Sequence, residues 1–284
     1  METLYKLSGA GNDFIVLDGR SGGVDEYRKE GIIRTLCDRS TGFKAADGRV
    51  GADGVMILSS SDDGAWDFVM EYFNSDGSSG MMCGNGGRCI VAFADFLGIV
   101  PANGKFYEFL AADGPHTGEI LDRDGHSCTV KLKMKDVSEY RRCTDGWFLE
   151  TGTRHFVKFV DDVEAVDIAT EGPRYRWSEE FAPIGANVNF VQVLPDGSLK
   201  VRTFEKGVED ETLACGTGIT ASALAAQLEA WHKDAGTDTP ASSGTTAKSI
   251  HTAVHARIDE LAVDFTPSGS IFTDVFLTGP AALI

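Results

Sequence analysis

Short apolar runs, many of them rich in β-branched and aromatic residues, set the hydropathy pattern of this chain. Runs at 4–7, 14–17, 55–58, 68–74, 105–109, 128–133, 147–151, 155–160, 188–193, 199–205, 261–265 and 272–277 predict strands, the last ending just before Gly279-Pro280. Residues 26–37 predict a helix with Ile32, Ile33 and Leu36 on one face. Apolar stretches at 90–96 and 221–226 predict one principal helix in each half. The polar, Ser/Thr/Gly-rich stretch 235–246 predicts a mobile surface loop in preference to an active-site lid.

The pattern repeats. Strand 68–74 and strand 199–205 each end in Phe plus a polar residue, then a polar loop, then a Cys-Gly-x-Gly turn that runs into an apolar helix. The turns are Cys83-Gly84-Asn85-Gly86 and Cys215-Gly216-Thr217-Gly218. A third echo pairs Gly11-Asn12-Asp13-Phe14 with Gly152-Thr153-Arg154-His155. Two long copies are too few for a stacked array, so the pattern implies a duplication into two similar domains.

Composition narrows the class. A chain of 284 residues can bury a sizeable core, and two domains are the natural expectation. A net charge of −17 argues against nucleic acid and anionic membranes as partners. No apolar run approaches the roughly 20 residues of a membrane span. No signal peptide is visible at 1–6, so a cytoplasmic location is the default. Six cysteines occur without a Cys-x-x-Cys pair, and the histidines do not cluster near them, so no metal site is expected. Cys37, Cys89, Cys128 and Cys143 read as inert or partly buried thiols.

Cys83 and Cys215 differ from those four. A thiol at a helix start meets the positive end of the macrodipole and unpaired N–H groups, which favours the reactive thiolate. The same N–H groups can hold a carboxylate. Two such turns point to two acid/base thiols and an anion cradle. From the residues alone, Asn12 and Asn74 are equally turn asparagines, Glu205 a solvated charge, and His155 a core or surface histidine.

Taken in order, Gly11-Asn12-Asp13-Phe14, Gly51-Ala52-Asp53-Gly54, Phe73-Asn74 before Asp76-Gly77, and Cys83 through Arg88 resemble the diaminopimelate epimerase family. So do Gly185-Ala186-Asn187-Val188, Glu205-Lys206-Gly207, Glu211-Thr212, Cys215 through Gly218, and Thr278-Gly279-Pro280. The likeness covers nearly the whole chain. The related proline-racemase family would show Cys-Gly-His at the first turn and Ser-Pro before the second cysteine; this chain has Asn85 and Leu213-Ala214 there.

The resemblance implies an α/β fold of α+β type with two pseudo-symmetric domains. Each would be a strand-rich sheet wrapped around a central helix, with the active site in the cleft between them. The expected domains are 1–122 with 274–284, and 123–273. It implies epimerisation of LL-2,6-diaminopimelate to the meso form, for lysine and peptidoglycan biosynthesis, without pyridoxal phosphate or any other cofactor. A small-molecule amino acid is the expected partner, and a homodimer the expected assembly. Cys83 and Cys215 would be the two bases. Gly84, Asn85, Gly216 and Thr217 would bind the reacting carboxylate. Asn12, Asn74, Asn187 and Glu205 would shape the site and grip substrate, with His155 and Glu205 near the cysteines, helping to set their protonation.

Three motifs depart from the family pattern. Gly152-Thr153-Arg154-His155 stands where Gly-Asn-Pro-His is common, and Glu205-Lys206-Gly207 where Glu-Arg-Gly is common. Some members have Gln where Gly54 stands. In the family those asparagine and arginine positions hold the distal carboxylate. Lys206 supplies charge there but no bidentate fork. Either Arg154 provides the missing guanidinium, or specificity has moved to another amino acid. Two other classes stay open: a thiol redox protein using Cys83 and Cys215, and a non-catalytic amino-acid-binding protein.

Overall fold

A computed structural model describes residues 2–235 and 248–284, with Ala235 as backbone only. It resolves into two compact units, Met1–Leu132 with Gly279–Ile284, and Lys133–Thr278. The proposed loop at 235–246 lies outside the described residues, except for Ala235, which ends a helix.

In the first unit the elements are β1 (Tyr5–Gly9), β2 (Asn12–Asp18), α1 (Glu30–Cys37), β3 (Gly54–Ser59) and β4 (Phe68–Asn74), then α2 (Gly84–Phe96), β5 (Tyr107–Ala111), β6 (Gly114–Asp124) and β7 (Ser127–Lys133). The strands pair in chain order, β1 through β7. The end of the chain pairs with β7 (Gly279 opposite Val130) and with β1 (Leu283 opposite Leu7), which closes the sheet. Helix α2 packs on β1, β2, β3 and β6, and Gly84 through Ala94 are all buried. A helix buried on every side must be apolar or have its polar groups paired, and Ile90, Val91, Phe93 and Ala94 supply the apolar part. Full burial of each large side chain stabilises by roughly 1.5–3 kcal/mol. On the outer face, Ile33 and Cys37 of α1 pack with Ile15, Leu17, Val55 and Ile57. Strands covered on both faces read as unbroken apolar runs, hence 14–17 and 55–58.

The second unit follows the same plan with β8 (Tyr140–Cys143), β9 (Gly146–Glu150), β10 (Arg154–Phe159), α3 (Ile168–Arg176), β11 (Asn187–Val193) and β12 (Leu199–Glu205). Then come β13 (Asp210–Thr212), α4 (Gly216–Ala235), β14 (Ile250–His255), β15 (Glu260–Ser268) and β16 (Ile271–Leu283). The sheet runs β8-β9-β10-β11-β12-β14-β15-β16, with β13 beside β12. Val137 and Phe272 exchange two backbone hydrogen bonds, of 2.9 and 2.8 Å, across its ends. Helix α4 packs on β9, β10, β11, β12, β14 and β15. On the other face, Ile168 and Tyr175 of α3 join Phe156, Val188, Phe190 and Phe204.

The pairing pattern is the same in both units. β1–β2 and β9–β10 are antiparallel, β2–β3 and β10–β11 parallel, and β3–β4 and β11–β12 antiparallel. After the buried helix, β4–β5 and β12–β14 are parallel, and β5–β6 and β14–β15 antiparallel. The fold is thus a strand-rich α+β duplication with a barrel-like sheet around a helix in each half.

Three predicted elements need correction. The helix at 26–37 is broken: a 3-10 turn spans Asp25–Arg28, Lys29 is extended (φ −80, ψ 128), and α1 begins at Glu30. Arg28 reaches to the sheet, its Nε donating to Glu71 at 2.8 Å, and Ile32 faces solvent. The strand at 105–109 is shifted to β5. The strand at 272–277 does not stop before Gly279-Pro280; it runs on as β16, with Pro280 opposite Thr129. Helix α3 and strands β6, β8, β13 and β14 were not predicted.

Candidate active site

Cys83 occupies the N-cap of α2 in an extended conformation, φ −108 and ψ 152. Gly86 N–H donates to its Sγ at 3.2 Å. First-turn N–H groups have no intrahelical acceptor, so this helix start suits an anion. Asn85, on the same turn, is buried and oriented by a chain of amides with ions at both ends. Arg88, fully buried, donates to Asn85 Oδ1 at 2.9 Å, to Gly84 O at 3.1 Å and to Pro280 O at 3.3 Å. Asn85 Nδ2 donates to Asn12 Oδ1, and Asn12 Nδ2 donates to Asp53 Oδ2 at 2.9 Å. Guanidinium only donates and carboxylate only accepts, so both amide orientations are fixed by chemistry. Asp53 also accepts from Asp13 N–H and pairs with Arg39, while Asp13 pairs with Arg39 and with buried Lys6 at 2.7 Å each.

Asn12 follows a two-residue hairpin turn in which Ala10 (φ 51) and Gly11 (φ 93) are both left-handed, the geometry that matches strand twist. Asn74 ends β4, its Nδ2 donating to Ser78 Oγ at 3.0 Å within its own turn. The next residue, Ser75, donates its N–H to Asp53 O at 3.1 Å. The first unit therefore brings Cys83, Asn85 and Asn12 together through Arg88 and Asp53, with Asn74 beside them.

Cys215 immediately precedes α4, and Ile219 N–H donates to its carbonyl at 2.8 Å. Its Sγ lies 3.4 Å from Thr217 Oγ1. Thr217 Oγ1 lies 2.9 Å from His155 Nε2 and 3.1 Å from Thr153 Oγ1, which itself lies 2.9 Å from His155 Nε2. On the other side of the ring, Asn189 Nδ2 sits 3.1 Å from His155 Nδ1. That amide also faces Phe156 O at 3.1 Å, a group that only accepts, while its Oδ1 accepts from Thr203 Oγ1 at 3.0 Å. The Asn189 nitrogen therefore donates to Nδ1, and the neutral ring carries its proton on Nε2, facing the two threonines. Burial pushes the His155 pKa down to about 3, so the ring is neutral at physiological pH. Gly218 makes room for this cluster: a Cβ there would come within 2.4 Å of Asn189 Oδ1.

Asn187 shares the face of His155, its register partner across β10 and β11. Its Nδ2 donates to Arg154 O at 3.0 Å, and its Oδ1 accepts Lys206 N–H at 2.8 Å. Glu205 closes β12 and opens the turn that carries Lys206. Arg154 does not join this cluster. Side chains alternate along a strand, and Arg154 stacks on Phe148, its guanidinium carbon 5.1 Å from the ring centroid, with NH1 3.4 Å from Phe181 O.

The other four cysteines are of a different kind. Burial pushes Cys37 and Cys143 up to about 12 and Cys128 to about 11, and raises Cys89 as well. Among the described residues, no group of three His, Cys, Asp or Glu side chains could hold a metal ion, and no helix is long and apolar enough to cross a membrane. Sequence reasoning read Asp53 and Arg88 only as members of motifs, with no role of their own, and passed over Arg39, Asn189 and Thr203. Asn189 carried a usable signal: a second asparagine two positions after Asn187, on one face of an otherwise apolar strand.

The profile of the diaminopimelate epimerase family matches residues 4–137 and 147–265. The diaminopimelate epimerase of Flavobacterium psychrophilum is 38% identical over 281 residues, covering 99% of this chain and 97% of that protein. That of Aquifex aeolicus is 39% identical, covering 97% and 93%. Among solved structures, a Bacillus anthracis phenazine biosynthesis protein of the PhzF family aligns with TM-score 0.67 at 11% identity, covering 99% of this chain and 96% of that one. A probable proline racemase from Agrobacterium radiobacter K84 aligns with TM-score 0.62 at 17% identity, covering 100% and 91%. At such identities these two speak for the fold alone.

Proposed function

The chain belongs to the diaminopimelate epimerase family, and from that premise we propose that it converts LL-2,6-diaminopimelate to the meso form by cofactor-independent two-base chemistry. The observation that carries the proposal is the duplicated Cys-Gly-x-Gly helix start, with the same surrounding strand pattern in each unit. Epimerisation removes a proton from one face of the α-carbon and returns one to the other. Without an electron sink, charge growing on the carboxylate must be met by preorganised donors. The N–H groups at Gly84-Asn85 and Gly216-Thr217 are the proposed donors. Cys83 and Cys215 are the proposed bases, one entering as thiolate and the other as thiol.

His155, neutral with its proton on Nε2, donates into the Thr153–Thr217 pair, and Thr217 Oγ1 adjoins Cys215 Sγ. In this proposal the hydroxyl relays a hydrogen bond to the sulfur as its charge changes. Asn12, Asn74 and Asn187 hold substrate polar groups, Glu205 lies near the cysteines and helps to set their protonation, and Lys206 meets the distal carboxylate. The proposal extends to a cytoplasmic homodimer serving lysine and peptidoglycan biosynthesis, which rests on the family alone.

The direct test is incubation with LL-diaminopimelate under reductant, without pyridoxal phosphate, followed by chiral analysis. The expected product is meso-diaminopimelate. No conversion, beside turnover of another amino acid, would transfer the same chemistry to that substrate. No α-proton exchange with any amino acid would defeat the proposal.

A further inference from the structure

Arg176 ends α3 and is 4% exposed, a buried guanidinium that takes no part in the thiol cluster. Its Nε and NH2 lie 3.3 and 3.1 Å from Glu209 Oε1, and its NH1 donates to Ile184 O at 3.3 Å. The arginine thus touches two segments at once. One is the loop that leads through Gly185 into Asn187. The other is the turn that follows Glu205 and Lys206.

Both segments are shaped around it. Glu209 is a non-glycine residue at φ 58, a left-handed conformation that persists where its surroundings impose it. Its N–H donates to Glu205 O at 2.8 Å, and its carboxylate accepts Gly207 N–H at 3.0 Å. The Gly207 N–H, with Arg176 beside it, lowers the pKa of this carboxylate from its ordinary value. On the other segment, Gly185 is at φ 72, and a Cβ there would fall 1.7 Å from Arg176 NH1. Only glycine lets the backbone close over the guanidinium. Lys206 N–H to Asn187 Oδ1, at 2.8 Å, joins the two segments directly.

We propose that Arg176 is a positioning residue for substrate binding: its fork fixes the 205–209 turn against the 184–187 loop, and so sets where Glu205, Lys206 and Asn187 meet the substrate. This rests on the function proposed above for those three residues. A planar fork can bind a carboxylate and a carbonyl in different directions; a lysine at 176 could not hold both in register. The need is greater because residue 206 is lysine, whose ammonium sits on a flexible stem. Fixing the backbone at its root lowers the ordering cost of binding.

The test compares Arg176→Lys, Glu209→Gln and Lys206→Met, with KM and kcat for LL-diaminopimelate and Tm measured for each. Arg176→Lys and Glu209→Gln are expected to raise KM about tenfold, with kcat within about a factor of two. A merely structural role would lower Tm and leave KM unchanged, and that result would overturn the proposal. Glu209 is partly exposed, so Glu209→Gln keeps the test alive should the Arg176 variant fail to fold. If Lys206→Met raises KM while Glu209→Gln does not, Arg176 has no positioning role and the function stands. If Lys206→Met leaves KM unchanged, substrate holding by this turn is itself refuted.

Discussion

Asn189 determines which nitrogen of His155 carries the proton, because Phe156 O and Thr203 Oγ1 leave its amide a single orientation. The cost of keeping that imidazole buried and neutral appears as a pH dependence. Its pKa in the folded protein is about 3, against 6.5 for the ordinary group. Between those values the unfolded chain binds a proton that the folded chain refuses. Stability from this group is therefore complete above about pH 6.5 and falls as pH drops toward about 3. The slope is at most about 1.4 kcal/mol per pH unit. Chemical denaturation of wild type and His155→Gln between pH 6.5 and 4 should show a steeper loss in wild type. Parallel curves would mean that the ring is protonated in place. The repeated glycine turns made Cys83 and Cys215 stand out in the sequence, whereas Asn12, Asn85 and His155 were singled out only through the family resemblance, since turn asparagines and core histidines are common for backbone and packing reasons. Arg154 adjoins His155 on a strand, so its side chain lies on the opposite face, against Phe148, an orientation its place in the motif does not reveal.

Elements were readable where burial leaves a plain signature. β3 lies under helices on both faces and reads as a continuous apolar run, whereas β11, covered likewise, breaks its run at Asn189 and Gln192. Helix α3 was hidden because Gly172 and Pro173 lie within it; Gly172 is there since a Cβ would meet the Phe204 ring at 2.5 Å. β6 was hidden because much of its surface is polar and exposed. The most consequential element is α2, where one buried cation serves three acceptors, two of them buried. Arg88→Met would leave Gly84 O, Asn85 Oδ1 and Pro280 O without that donor. A loss of about 2–4 kcal/mol in urea unfolding is expected. A change below about 1 kcal/mol would show that Arg88 does not hold the helix start.

At the scale of the whole molecule, the proposed chemistry makes one demand of the duplication: two thiol-bearing helix starts, one for each face of the reacting carbon. Two monoprotic bases leave a label pattern that one base cannot. The thiolate keeps the hydrogen it removes, and the opposite thiol delivers one from solvent. The decisive measurement is early turnover of LL-diaminopimelate in heavy water, with the isotope content of product and recovered substrate determined separately. Two-base chemistry requires one deuterium at the inverted carbon of the meso product and essentially none in the remaining LL substrate. Unlabelled product, or label entering recovered substrate as fast as product, would contradict it.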